Sequence, residues 1–266
     1  MSLRILLTND DGWEAPGITA LAEGLRADGH DVVVVAPATN QSGASARISS
    51  SGKLTVARPH GDDEPVWSVD GSPADSVIFG LTHVFGTVLG AAPDLVVSGA
   101  NAGANAGQAV HFSGTVGAAV CATGFGCPAI AVSTHMAWDT TPTTDLFDDT
   151  VRAVTALLAG PAPADLIPDG AVLNVNIPNA EAPRPLTASA ATADPLPMGR
   201  MGYSGDGPEF QLAFEPGPEP APGTDTAVLR SGRISLSVVP VTGTPSSADH
   251  LAAIASELTE RMSVHQ

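Results

Sequence analysis

The segment Asn9-Asp10-Asp11-Gly12 puts two carboxylates side by side directly after a short apolar run. Adjacent aspartates repel each other unless a cation lies between or beside them, and hard divalent cations prefer oxygen ligands of this kind, so the pair reads as a Mg²⁺ or Mn²⁺ site. A plainer reading stays open, in which one aspartate caps a helix at Ala15 or Pro16 and the other is solvated. Three further segments carry similar equipment: Asn40-Gln41-Ser42-Gly43-Ala44-Ser45, Ser98-Gly99-Ala100-Asn101-Ala102-Gly103-Ala104-Asn105, and Ser113-Gly114-Thr115. The glycine and asparagine run around Asn101 and Asn105 serves either a ligand or merely turns of positive φ. Ser113-Gly114-Thr115 opens a helix whose free N–H groups and positive dipole end would face an anion, with two hydroxyls able to donate; simple N-capping by Ser113 is the alternative.

Those residues need elements to hold them. Arg4 to Thr8 reads as a buried strand, Pro16 to Gly29 as a helix with Ile18, Leu21, Ala22 and Leu25 on one stripe, and Val32 to Ala36 as a second strand, which together make a βαβ unit. Ser72-Pro73-Ala74-Asp75 is an N-cap, N1 proline and acidic first turn ahead of Val77, Ile78, Leu81, Val84 and Phe85. Strands at Leu95 to Val97, Ala129 to Val132 and Val172 to Ile177 alternate with helices at Gly114 to Ala122 and after a Thr144-Asp145 cap. The pattern predicts a three-layer α/β domain with a mostly parallel, doubly wound sheet over residues 1–180. Ligands bind such sheets at the carboxyl ends of the strands, where the four polar segments fall. From Glu181 to Gly223 prolines and glycines dominate and periodicity is lost, so 181–266 reads as an arm or hairpin extension, a returning strand at Ile234 to Val239 and a last helix capped by Ser247.

Composition narrows the partners. With 11 Lys and Arg against 28 Asp and Glu the net charge is −17, a field that repels polyanions, so no nucleic acid partner is expected. The same shortage of cations means that a bound phosphate ester must be met by a metal and oriented amides. No apolar stretch is long enough to span a membrane and no signal peptide is evident, which predicts a cytoplasmic protein. One lysine and an excess of Asp over Glu also suit a salt-adapted, halophilic source, with codon bias as the competing cause. Cys121 and Cys127 fit neither a disulfide framework nor a zinc pattern and are expected to be buried and reduced. His111 offers either a proton donor to a leaving oxygen or an exposed loop histidine, and the second reading is preferred.

Several separated motifs in one order resemble the SurE family (survival protein E), metal-dependent 5'/3'-nucleotidases. They are Ile5-Leu-Leu-Thr-Asn-Asp-Asp-Gly, Ala15-Pro-Gly-Ile, Val35-Ala-Pro, Asn40 with Ser42-Gly-Ala-Ser, Gly71-Ser-Pro-Ala-Asp, Pro93-Asp-Leu-Val-Val-Ser-Gly-Ala-Asn-Ala-Gly, Ser113-Gly-Thr-Val and Pro128-Ala-Ile-Ala-Val-Ser. Asn174-Val-Asn-Ile-Pro and Asp225 through Gly232 to Ser235 extend the likeness. The resemblance implies a Rossmann-like core, one Mg²⁺ or Mn²⁺ per subunit on Asp10, Asp11, Ser42 and Asn101, and a phosphate pocket involving Gly43, Asn105, Ser113, Gly114 and Thr115, with Asn9 as support. It implies hydrolysis of a nucleoside monophosphate by in-line attack of water, which Asp10 or Asp11 orients or deprotonates. Ala38, Thr39, Gln41, Ser72 and Ser76 depart from the family's usual residues and bear on substrate preference. Two rival readings are a sugar-nucleotide transferase, which should show a second βαβ half near the C-terminus, and a non-enzymatic nucleotide-binding protein, which should have lost metal ligands. The arm and the terminal helix, with Leu251, Ile254 and Leu258 on one face, both ask for a covering surface. Exchange between like subunits would provide one, and the resemblance likewise points to a homodimer or homotetramer.

Overall fold

The computed structural model describes residues 1–50, 52–137, 139–179, 185–195, 199–241 and 248–264. The chain runs β1 (Arg4–Thr8), α1 (Pro16–Ala27), β2 (Asp31–Pro37), β3 (Val56–Ala57), β4 (Val66–Val69), α2 (Pro73–Phe79), β5 (Leu95–Ala102) and α3 (Gly114–Gly124). It continues through β6 (Ala129–His135), α4 (Asp148–Leu158), the single turn α5 (Pro163–Leu166), β7 (Ala171–Pro178), β8 (Ala188–Ala190), β9 (Gly199–Asp206), β10 (Glu209–Pro216), α6 (Asp225–Arg230), β11 (Ile234–Pro240) and α7 (Ala248–Val264). Nine strands form one sheet in the order β3-β4-β2-β1-β5-β6-β7-β11-β8. Its centre from β4 to β7 is parallel, whereas β3 on β4 and β11 on β7 are antiparallel.

The alternation of side chains along the central strands splits the core in two. Ile5 and Leu7 point to one face with Ile18, Leu21, Leu25, Phe147, Leu157 and Leu258, so α1, α4 and α7 cover that side. Leu6 points to the other with Val33, Val77, Phe85, Val116 and Ala119, which come from β2, α2 and α3 and the turns after α2. The chain leaves β1 towards β2 on one flank and later returns as β5 on the other. The crevice beyond the ends of β1 and β5 is therefore a topological switch point, the place where such sheets bind ligands.

Local differences from the sequence reading have local causes. The box at Ser72 is complete: its hydroxyl accepts from the Asp75 amide and the Asp75 carboxylate accepts from the Ser72 amide. The helix it starts does not stay α-helical, since Gly80–Leu89 continues as a π-helix that keeps Val84 and Phe85 in the core. Thr144 and Asp145 do not cap α4; they lie in a 3₁₀ turn, Thr144–Phe147, whose fully buried Phe147 anchors the entry before the helix starts at Asp148. Neither Asp10 nor Asp11 caps α1, whose N-cap is Ala15 without a side-chain bond. Cys121 and Cys127 are free but only partly buried, and burial pushes both thiols up to about 11. The Ser247 cap lies outside the described residues. The last helix finds its cover within the chain, with Leu251, Ile254, Leu258 and Met262 buried against the face that α4 shares. The hairpin β9–β10 joins no other strand among the described residues.

Candidate metal and phosphate site

β1 ends at Thr8, so Asn9, Asp10 and Asp11 emerge at the switch point on a turn that Asn9 ties off. The Asn9 side chain donates to the Gly12 carbonyl at 2.8 Å and accepts from the Gly12 amide at 3.2 Å, while being fully buried itself. Asp10 is only 3% exposed, and its Oδ1 accepts from the Thr115 hydroxyl at 2.5 Å. Burial raises its carboxyl above the ordinary aspartate value, and the Thr115 hydroxyl with the amides of Thr115 and Gly114 works against that rise. Asp11 is more open. Its Oδ2 accepts from the Ala102 amide at 3.1 Å and its Oδ1 from the Asn40 side chain at 3.2 Å. Burial and then the charge of Asp10 push it up to about 6.

Both neighbouring loops reach this pair. The Gln41 amide donates to the Asp10 carbonyl at 2.6 Å, and the Ser42 amide to Asn40 Oδ1 at 2.9 Å, which sets the exposed Ser42 and Gly43 beside the carboxylates. Asn101 is the penultimate residue of β5, before Ala102, and its Nδ2 donates to the Gly103 carbonyl at 2.7 Å. Its Oδ1 accepts no hydrogen bond among the described residues. Gly114 is obligatory at the start of α3: a Cβ there would lie 2.7 Å from Asp10 Cβ and 2.8 Å from Asp10 Oδ2. Gly117 is equally constrained, because a Cβ would come within 2.2 Å of the Ser45 carbonyl oxygen, so the Ser42 loop lies flat on the first turns of α3.

Some expected contacts fall differently. The Thr115 hydroxyl is turned to Asp10, and Ser113 Oγ caps α3 by accepting from the Val116 amide at 3.0 Å, so the helix start first serves the carboxylate. Asn105 is buried, and its side chain and main chain are both held by neighbouring strands. Its Nδ2 donates to Ser133 at 2.9 Å, its amide to Asn176 Oδ1 at 2.8 Å, and its carbonyl accepts from Asn174 and Asn176. His111 is exposed at the end of a 3₁₀ turn, Gln108–His111, in keeping with a loop histidine.

None of the ion pairs among the described residues includes Asp10 or Asp11. Two carboxylates brought together at a largely buried place, with no ion pair to a cationic side chain among the described residues, are what a divalent ion would relieve, and carboxylate oxygens are the ligands such an ion prefers. No three His, Cys, Asp or Glu side chains gather at any point among the described residues; beside the two carboxylates, Ser42 and Asn101 are among the nearby side chains that carry an oxygen able to meet an ion.

The profile of the family described as survival protein SurE matches residues 5–194, which is most of the chain and contains every residue of this crevice. The chain belongs to the SurE family. It is 35% identical to the 5'-nucleotidase SurE of Methylocella silvestris over 95% of this chain and all of that one, and 36% identical to the 5'-nucleotidase SurE of Rhodopirellula baltica over 88% and 91%. The crystal structure of SurE from Aquifex aeolicus superposes with a TM-score of 0.73 at 30% identity, covering 91% of this chain and 94% of that one. The sheet and its two helical layers are thus those of a SurE protein.

Three features of this SurE-family site escaped the sequence reading. In the sequence Asn40 stands out only as part of a motif, yet in the fold it bridges Asp11 and Ser42. Asn174 and Asn176 alternate along β7, so both amides reach the same face and grip Asn105; buried asparagines two apart in an apolar strand were the available signal. Asp225 is fully buried and accepts from the amides of Gly107 at 3.0 Å, Asp194 at 2.9 Å and Thr226 at 2.8 Å. It ties the loop before α3 to the C-terminal third, and nothing in its local sequence announced that.

Proposed function

We propose that this chain is a divalent-metal-dependent phosphatase that hydrolyses nucleoside monophosphates, at the 5' and also the 3' position, to nucleoside and phosphate. The observation that carries the reading is the meeting of Asp10, Asp11, the Ser42 loop and Asn101 at one switch-point crevice, in a chain aligned end to end with relatives named 5'-nucleotidases. Asp10, Asp11, Ser42 and Asn101 would hold one Mg²⁺ or Mn²⁺ per subunit. When bound, that ion polarises the phosphoryl group and offsets its charge. The chain supplies the rest. The Thr115 hydroxyl fixes the rotamer of Asp10, and the Asn40 and Ala102 donors fix that of Asp11. Ser113, Gly114 and Gly43 border the place of the phosphate, where the positive end of α3 stabilises developing charge. Asp11, the carboxylate closer to solvent, orients the attacking water and takes its proton.

Phosphate release from a panel of nucleoside monophosphates, with Mg²⁺, Mn²⁺ or chelator, tests this reading. Asp11→Asn and Asn101→Ala are expected to lose at least about a hundredfold in turnover while keeping the fold, because each removes a strand-end ligand and no core contact. Near wild-type turnover of either variant at saturating metal would break the ligand assignment. A transferase should carry a second βαβ half, and residues 185–264 form none among those described.

We further infer a homodimer or homotetramer. In the hairpin, Tyr203 pairs with Leu212 and Met201 with Phe214, and Met201, Tyr203, Phe210 and Leu212 are all exposed. A two-stranded hairpin is marginal alone, so this one calls for a surface from a second copy.

A further inference from the structure

Phe112 lies between the two loops that build the site, one residue before Ser113, the N-cap of α3. Its side chain is exposed, at 53% for the residue, and makes no ring contact among the described residues. Its main chain, by contrast, is pinned from both sides. The Phe112 amide donates to the Ala109 carbonyl at 3.1 Å and its carbonyl accepts from the Ser45 amide at 3.1 Å, while the Ser45 hydroxyl donates to the His111 carbonyl at 2.9 Å. A scattered exposed apolar residue needs no explanation, but the backbone that carries this ring is held at the seam where the Ser42 loop meets the start of α3. The Ser42 loop from Asn40 to Ser45 brings only Asn, Gln, Ser, Gly and Ala, which offer no flat apolar surface, and the neighbouring exposed ring, His111, is a polar imidazole.

We infer that Phe112 is the platform on which the base of a nucleoside monophosphate stacks, and that it biases the site towards purines. The inference rests on the phosphatase reading above and adds the residue that would recognise the nucleoside half of the substrate. Every base has a π face, so an aromatic platform accepts all of them, and the larger purine covers more of the ring. Adjacent Cα atoms are about 3.8 Å apart, so a ring one residue from the helix start is within the reach of a ribose whose phosphate sits at that start. The fixed backbone means that little ordering is lost on binding.

The test compares kcat/KM for adenosine monophosphate with that for ribose 5-phosphate, which lacks the base, in wild type, Phe112→Ala and Phe112→Tyr with Mn²⁺. Phe112→Ala is expected to lower the ratio of the two by about tenfold, mostly through KM for the nucleotide, and to narrow the gap between adenosine and uridine monophosphates; Phe112→Tyr should restore both. Broadening of the adenine H2 and H8 proton lines on adding protein, which needs no turnover, should weaken in parallel. A ratio that stays put, including one in which both substrates lose activity together, or H2 and H8 broadening that Phe112→Ala leaves unchanged, overturns the stacking role and leaves the phosphatase reading intact. If wild type releases phosphate from neither substrate, the phosphatase reading itself falls, and the stacking with it.

Discussion

At the scale of single residues, the state of the Asp10–Asp11 pair fixes a pH dependence with a definite sign. Asp11 is pushed up from 3.8 to about 6 by burial and then by the charge of Asp10, and Asp10 is raised by burial as well. Below the unfolded-state value both states are protonated and nothing is lost. As pH climbs through the window up to about 6 the folded state holds its proton more tightly than the unfolded chain does, so stability falls and then levels off. The melting temperature of chelator-treated protein is expected to drop between about pH 4 and about pH 6.5, to drop less in Asp11→Asn, and to recover near neutrality with excess Mn²⁺. A melting temperature that climbs steadily across that interval in both proteins would contradict the buried, repelling pair. The pair itself was legible because adjacent aspartates after an apolar run are chemically conspicuous. The services of Asn40, Thr115 and Asn176 were not, since each depends on which loop the fold lays against which strand end.

Among the elements, α3 is the one whose close fit bears directly on the site. Gly114→Ala is expected to cost about 1–3 kcal/mol, through a Cβ forced against Asp10, and most of the metal-dependent turnover with it. Ser72→Ala provides the contrast: losing the capping box of α2 should cost about 0.5–2 kcal/mol, measured by denaturant unfolding. That helix start was readable residue by residue, because an N-cap, an N1 proline and an N3 carboxylate act locally. The π-helical continuation over Gly80–Leu89 and the 3₁₀ entry to α4 were not readable, because each is set by which side chain the core claims, Phe85 in one case and Phe147 in the other. The two-residue β3 and three-residue β8 are edge additions too short to show a period.

Across the whole molecule, 28 carboxylates face 11 cationic side chains, so raising KCl from about 0.1 M to about 2 M is expected to raise the melting temperature by relieving self-repulsion. A flat curve would assign the composition to codon bias. The exposed hairpin face predicts that Tyr203→Glu with Leu212→Glu yields a smaller particle by light scattering, with β9–β10 still paired; an unchanged mass would place the subunit contact elsewhere. Alternating strands and helices made the layered parallel sheet legible. The terminal helix was misjudged because the sequence cannot show that α4 leaves a strip beside β8 for Leu251, Leu258 and Met262 to fill. Asp225 adds a consequence for motion. Because the amides of Gly107 and Asp194 end on one carboxylate, neither can meet solvent unless that carboxylate lets go. In hydrogen exchange the two should therefore slow together and open together, as one cooperative unit in which loosening the C-terminal third and loosening the loop before α3 are the same event.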